Sequence, residues 1–134
     1  MTTQIHTRNL RDDAQIVSVD LAQAGANTPA IDLEQAVGGL IENIAAEIDI
    51  PAVAGLTDAK VFTFALEDSA NGTDFAAVDP SITTTVVGAG GNGSPAKNIR
   101  LRFPPQTRRF VRIAQTVTSD AGTITGAVKF GLLF

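Results

Sequence analysis

The stretch Lys97–Val117, KNIRLRFPPQTRRFVRIAQTV, decides how this chain is read. Successive side chains of an extended segment point to opposite faces, so Ile99, Leu101 and Phe103 share one side while Arg100 and Arg102 share the other. That alternation predicts a half-buried strand over Asn98–Phe103. Pro104-Pro105 stops it, because proline lacks a backbone N–H and restricts the residue before it. Arg109–Val117 then resumes, with Val111, Ile113, Gln115 and Val117 on one face and Phe110, Arg112 and Ala114 on the other. The expectation is two neighbouring strands that turn a group of arginines outward from an aliphatic interior.

The segments on either side read as complements of this pair. Lys60–Glu67 places Phe62, Phe64 and Leu66 on one face and Val61, Thr63 and Ala65 on the other, and both faces are apolar enough to be covered. It runs into Glu67–Phe75, where Asn71-Gly72 can take the positive φ of a tight reversal, after which Phe75 and Val78 are expected to return to the core. Val17, Val19 and Leu21 alternate with Ser18 and Asp20 in a strand over Gln15–Ala22; Ala30–Leu33 forms a short one, and Ile82–Val87 a threonine-rich one. Thr123–Phe134 sets Ile124, Val128, Phe130, Leu132 and Phe134 on one face.

Glu34–Ala46 approximates helical spacing, but Gly38-Gly39 in its middle would cost a helix about 2 kcal/mol relative to alanines. A loop through the glycines is expected, then a strand from about Glu42, because Ile44, Ala46, Ile48 and Ile50 alternate with Ala45, Glu47 and Asp49 up to Pro51. Gly88–Pro95 reads as a flexible loop and Ser119–Gly122 as a turn. About eight strands with no convincing helix predict an all-β fold: an antiparallel β-sandwich of jelly-roll type. Residues 15–134 form its single domain, preceded by a polar N-terminal arm over residues 1–14.

At 134 residues the chain suits one core. There is no Trp, Tyr or Cys, so the core must come from aliphatic residues and seven Phe, and neither disulfides nor thiol chemistry is available. No run approaches the ~18 apolar residues of a membrane span. The first fifteen residues lack the apolar segment of ~7–15 residues of a secretory signal, so synthesis in the cytoplasm is expected.

Charge is divided unequally along the chain. Residues 1–79 hold thirteen acids against Arg8, Arg11 and Lys60, a net −10, while residues 80–134 hold Asp120 against seven bases, a net +6. The halves attract, either within one subunit as ordinary self-neutralisation or across subunits and onto an acidic partner.

Candidate sites are few. Asp68, Asn71 and Asp74 offer oxygen ligands, but they lack the spacing of a calcium loop and its terminal bidentate Glu, so a hairpin turn is the reading. Gly88–Gly93 lacks the lysine and the helix of a phosphate loop. The arginine group could meet nucleic acid, yet a chain without Tyr or Trp has few stacking partners, only Phe103 and Phe110 nearby; acidic protein suits arginine's planar fork better. His6 is the lone histidine, and no nucleophile–base or acid–base constellation is visible. The chain is therefore read as a non-enzyme with no cofactor, no metal, no nucleic-acid partner and no membrane.

A set of segments in order carries a resemblance: the polar arm, Asn27-Thr-Pro-Ala-Ile-Asp-Leu33, Lys60-Val-Phe-Thr-Phe-Ala-Leu66 running into Glu67-Asp-Ser-Ala-Asn-Gly-Thr-Asp-Phe75, Arg108-Arg-Phe-Val-Arg-Ile113, and a final Gly-Thr-Ile-Thr-Gly. In these it resembles the small capsid cement, or decoration, proteins of tailed bacteriophages. The resemblance implies a jelly-roll-like subunit that trimerises outside an icosahedral head and clamps adjoining major capsid subunits. It also implies a location on the virion surface, with Arg100, Arg102, Arg108, Arg109, Arg112, Arg8 and Arg11 as candidates for contact with sister or capsid subunits. The alternative is a receptor- or glycan-binding sandwich from a tail or fibre.

Overall fold

A computed structural model describes residues 16–22, 26–34 and 44–133. Among them are nine strands: β1 (Val17–Asp20), β2 (Ile31–Asp32), β3 (Ala45–Ile50), β4 (Val61–Ser69), β5 (Ala76–Ala77), β6 (Thr83–Val87), β7 (Lys97–Arg102), β8 (Phe110–Val117) and β9 (Ala127–Leu133). They form two antiparallel sheets. One runs β1-β9-β3-β7; the other runs β2-β8-β4, with β5 and β6 sharing the far side of β4. The polar arm and the Gly38-Gly39 loop lie outside the described residues.

With the two-residue β5 set aside, the pairing is nested. β1 lies against β9, β2 against β8, β3 against β7 and β4 against β6. The chain is thus one long antiparallel ribbon folded over on itself, which is the jelly roll. Contacts of β3 with β9 and of β4 with β8 close the ribbon into two sheets. The ribbon reverses between β4 and β6, near the point where the acidic half of the sequence gives way to the basic half. Every acidic-half strand except β5 therefore lies beside a basic-half strand.

Alternation decides what each strand buries. Phe62, Phe64 and Leu66 of β4 face inward against Val111 and Ile113 of β8, while Ile48, Val128 and Phe130 come from the other sheet. Burying side chains of this size contributes about 1.5–3 kcal/mol each. The rings of Phe62 and Phe64, two residues apart on one face, stack with centroids 5.8 Å apart. Across the core Gln115, on the inward face of β8, donates through Nε2 to the carbonyl of Asp20 at 2.8 Å and ties the two sheets together.

Several expectations change in detail. β7 and β8 are not neighbours: they belong to opposite sheets. The prolines are the reason, since Phe103-Pro104-Pro105 ends the β7 ladder and Thr107 then donates both its N–H (3.0 Å) and its hydroxyl (2.7 Å) to the Pro104 carbonyl. This turn carries the chain across the sandwich instead of back along β7. Phe75 does not return to the core; it stays half-exposed on the surface, and Val78 alone makes the return. The outer residues of β4, Val61, Thr63 and Ala65, are half-buried and not covered.

Gly88–Pro95 is a held loop. The Asp58 carboxylate accepts the N–H groups of Gly91 (3.2 Å) and Asn92 (2.6 Å), while Asn92 Oδ1 accepts the Asp58 N–H (3.2 Å). At the same end of the molecule Gly55 lies so close to the backbone that a Cβ there would run into the carbonyl oxygen of Thr123. Gly72 has the positive φ expected of it, +78°.

Candidate interaction surface

The nested ribbon places acids opposite bases at ladder positions. Glu67 pairs with Arg112 and Glu47 with Arg100 as direct cross-strand partners, and Asp49 sits opposite Lys129. The four ion pairs formed between described residues all join residues 1–79 to residues 80–134. Opposite charges in directly facing positions contribute about 0.2–1 kcal/mol each to the pairing. The charge asymmetry of the sequence is thus in part a register code for the ribbon.

The arginines of β8 and its entry turn are held most firmly. Arg108 donates from Nε (3.1 Å) and Nη2 (2.7 Å) to Asp68 Oδ1, from Nη2 to the Asp68 carbonyl (3.0 Å), and from its backbone N–H to Oδ2 (2.9 Å). Asp68 is buried, and its hydrogen bonds hold the guanidinium still further above its already high pKa. Arg109 forks onto Asp32, with Nε to Oδ1 at 2.7 Å and Nη2 to Oδ2 at 2.8 Å. That bidentate bond is the main reason the Asp32 carboxyl lies below the usual aspartate range, helped by the Glu34 N–H and opposed by desolvation. Arg112 donates from Nε to Glu67 Oε1 at 2.8 Å and lies 4.0 Å over the ring of Phe75, a cation–π contact.

The β7 arginines differ. Arg100 has its Nε 3.4 Å from Glu47 Oε2, with half of its side chain exposed. Arg102 is exposed and forms no ion pair with a described residue. Lys97 reaches from the edge of one sheet to the other, donating to the Thr85 carbonyl at 3.1 Å. Arg8 and Arg11 lie outside the described residues, as does His6.

The structure thus divides the expected arginine group in two. Arg108, Arg109 and Arg112 lie on the β2-β8-β4 sheet with acidic partners of their own chain, and Arg100 and Arg102 lie on the open edge of the other sheet. Alternation gave which side chains face outward, but not which sheet each strand joins. The Arg112–Phe75 contact was missed because Phe75 was assigned to the interior by its hydrophobicity alone.

The other candidates resolve into local structure. Asp68 is engaged by Arg108; Asn71 bonds Asp74 and the backbone of its own turn (2.8–2.9 Å). In the glycine loop the amides of Gly91 and Asn92 are given to Asp58. Among the described residues no three His, Asp or Glu side chains converge on one point, and no helix is long and apolar enough to cross a membrane. A shallow recess on the outer face of the β1-β9-β3-β7 sheet is lined by Ile16, Glu47, Asp49, Lys129 and Gly131. The outer face of the other sheet bears an uncharged area, missed in the sequence, where Val61 faces Val87, Thr63 faces Thr85 and Thr116, and Ala65 faces Thr83 and Ala114.

Neither a protein-family model nor a curated protein matches the sequence. Among solved structures, the carbohydrate-binding and catalytic modules of a Clostridium thermocellum endo-1,4-β-D-xylanase, complexed with xylohexaose, align at a TM-score of 0.43 and 10% identity over 91% of this chain. This chain spans 28% of the length of that one.

Proposed function

We propose that this protein is a structural component of a phage virion, a cement protein that binds the outside of an icosahedral head as a homotrimer and bridges major capsid subunits. The observation that carries the reading is where the resembling segments fall. Asn27–Leu33, Lys60–Phe75 and Arg108–Ile113, scattered in sequence, fold side by side as β2, β4 and β8 of one sheet. They are locked together by Arg109–Asp32, Arg112–Glu67 and Arg108–Asp68. These three of the five resembling segments thus belong to one physical unit.

Its work on the shell is mechanical. Each contact is weak, but a trimer on a preformed lattice engages several at once, so that holding strength multiplies without any single tight site. The partners are the major capsid protein and two sister copies, and the place of action is the surface of the virion, after synthesis in the host cytoplasm. Purified protein mixed with empty heads of the phage that encodes it tests the reading. Saturable co-sedimentation, threefold density on the outer surface, and a higher temperature of head disruption are expected. Heads that neither bind the protein nor gain stability would overturn it.

A further inference from the structure

The two open edges of the β1-β9-β3-β7 sheet match each other. Among the described residues β1 pairs only with β9, and β7 only with β3, leaving the far side of each without a ladder. Both edges carry the same pattern. β7 turns Ile99 and Leu101 toward the core, where they are only half-buried, and leaves Arg100 and Arg102 exposed. β1 turns Val17 and Val19 inward, half-buried as well, and leaves Ser18 and Asp20 exposed. One edge is basic; the other ends in a carboxylate.

Strand direction matches too. Each neighbouring pair in this sheet is antiparallel, so β1 and β7 run in opposite senses. A copy rotated about an axis roughly along the strands therefore presents its β1 antiparallel to β7, with its apolar face still turned inward. The geometry points to β7 of one subunit receiving β1 of a second copy as an added strand, with Asp20 opposite Arg100, Val19 opposite Leu101 and Ser18 opposite Arg102. In this register Asp20 also lies diagonal to Arg102, and cross-strand positions of both kinds are within side-chain reach. Ile99 and Leu101 gain further cover, and backbone groups that no described strand pairs gain partners.

Charged residues on an edge strand ordinarily discourage pairing. Here they do so selectively, because a basic edge rejects a second β7 and accepts a strand bearing an acid. Since each subunit carries one edge of each kind, the contact is head-to-tail and closes into a ring where the rotation permits. The inference deepens the trimer of the proposed function and rests on that reading for the number three.

The chain has no cysteine, so a double variant, Ser18→Cys with Arg102→Cys, reports the contact cleanly. Directly opposed antiparallel residues lie about 4.5–5.5 Å apart between Cα atoms, within disulfide range. Under mild oxidation the double variant is expected to give covalent species ending at three copies on a non-reducing gel, while each single variant stays as one chain. Arg102→Glu, which breaks no ion pair with a described residue, should weaken association at least tenfold. Three results would overturn the inference: wild-type protein with the mass of one chain, an oligomeric double variant that does not cross-link, or loss of shell binding by Arg102→Glu with unchanged mass, which would give the edge to the capsid instead. Cross-linked trimers that ignore phage heads would overturn the cement reading and leave this contact standing.

Discussion

Arg108, Arg109 and Arg112 and the two arginines of β7 are separated by only a short proline turn, yet they have different physical lives. The first three occupy or abut β8, an interior strand of its sheet, where each finds an acid on β2 or β4. The β7 pair sits on an edge, where only one side has a neighbouring strand and where Arg102 meets none of the described acids. The difference teaches that the job of an arginine here is set by the position of its strand within the sheet. The interior strand converts positive charge into fold specificity, whereas the edge strand leaves Arg100 half-exposed beside Glu47 and Arg102 without a described acid.

Breaking the firmest pair should cost most. Asp68→Ala strips Arg108 of three hydrogen bonds to a buried carboxylate, leaving only the one to the Asp68 main-chain carbonyl, and a loss of roughly 3 kcal/mol is expected, somewhat below a fully enclosed pair because Arg108 is about one-third exposed. Urea denaturation followed by far-UV circular dichroism reads it, and an unchanged midpoint would contradict the assigned role. Next, Arg112→Ala removes both the Glu67 bond and the contact over Phe75, for about 1–2 kcal/mol. Arg112→Lys should recover less than half of that, since an ammonium lacks the planar fork.

Acid sharpens the contrast. Because Arg109 holds the folded-state pKa of Asp32 below its unfolded value of about 4, the pair's stabilisation is fully present above that pH and is lost as pH falls through the lower, folded value. Thermal melts from pH 6 to pH 2 should show Asp32→Asn with a shallower acid-side decline than wild type. A parallel decline would remove Asp32 from the account. The smallest effect on stability belongs to Arg102→Ala, which should leave the urea midpoint where it is while weakening self-association in light scattering. If its midpoint instead fell as far as that of Arg112→Ala, the division between edge and interior arginines would be wrong.

Sequence patterning reached the strands because alternation is a local property. Phe62, Phe64 and Leu66, or Val111, Ile113 and Gln115, face one way whatever they later meet, and Pro51 and Pro104-Pro105 end ladders by removing donors. Local reasoning failed where a neighbour had to be known. Phe75 is as hydrophobic as Phe64, but Arg112 offered it a place on the surface. The glycines of residues 88–93 allow freedom by themselves, and it took Asp58, distant in sequence, to hold them. Of the candidate surface, the arginines and their acidic counterparts were visible as a charge imbalance, but the pairing that turns most of them inward to their own chain was not.

The sequence by itself determined that the chain is all-β, which faces of its strands are apolar, and that its two halves attract. Only the tertiary structure decided that β7 and β8 go to opposite sheets, that the ribbon folds near its charge boundary so that acids face bases, and that β1 and β7 are left as edges. The physical reason is that alternation with period two fixes a side chain's direction but is identical for every possible partner strand. Partner choice comes from closing the whole ribbon around one core, which no single segment encodes.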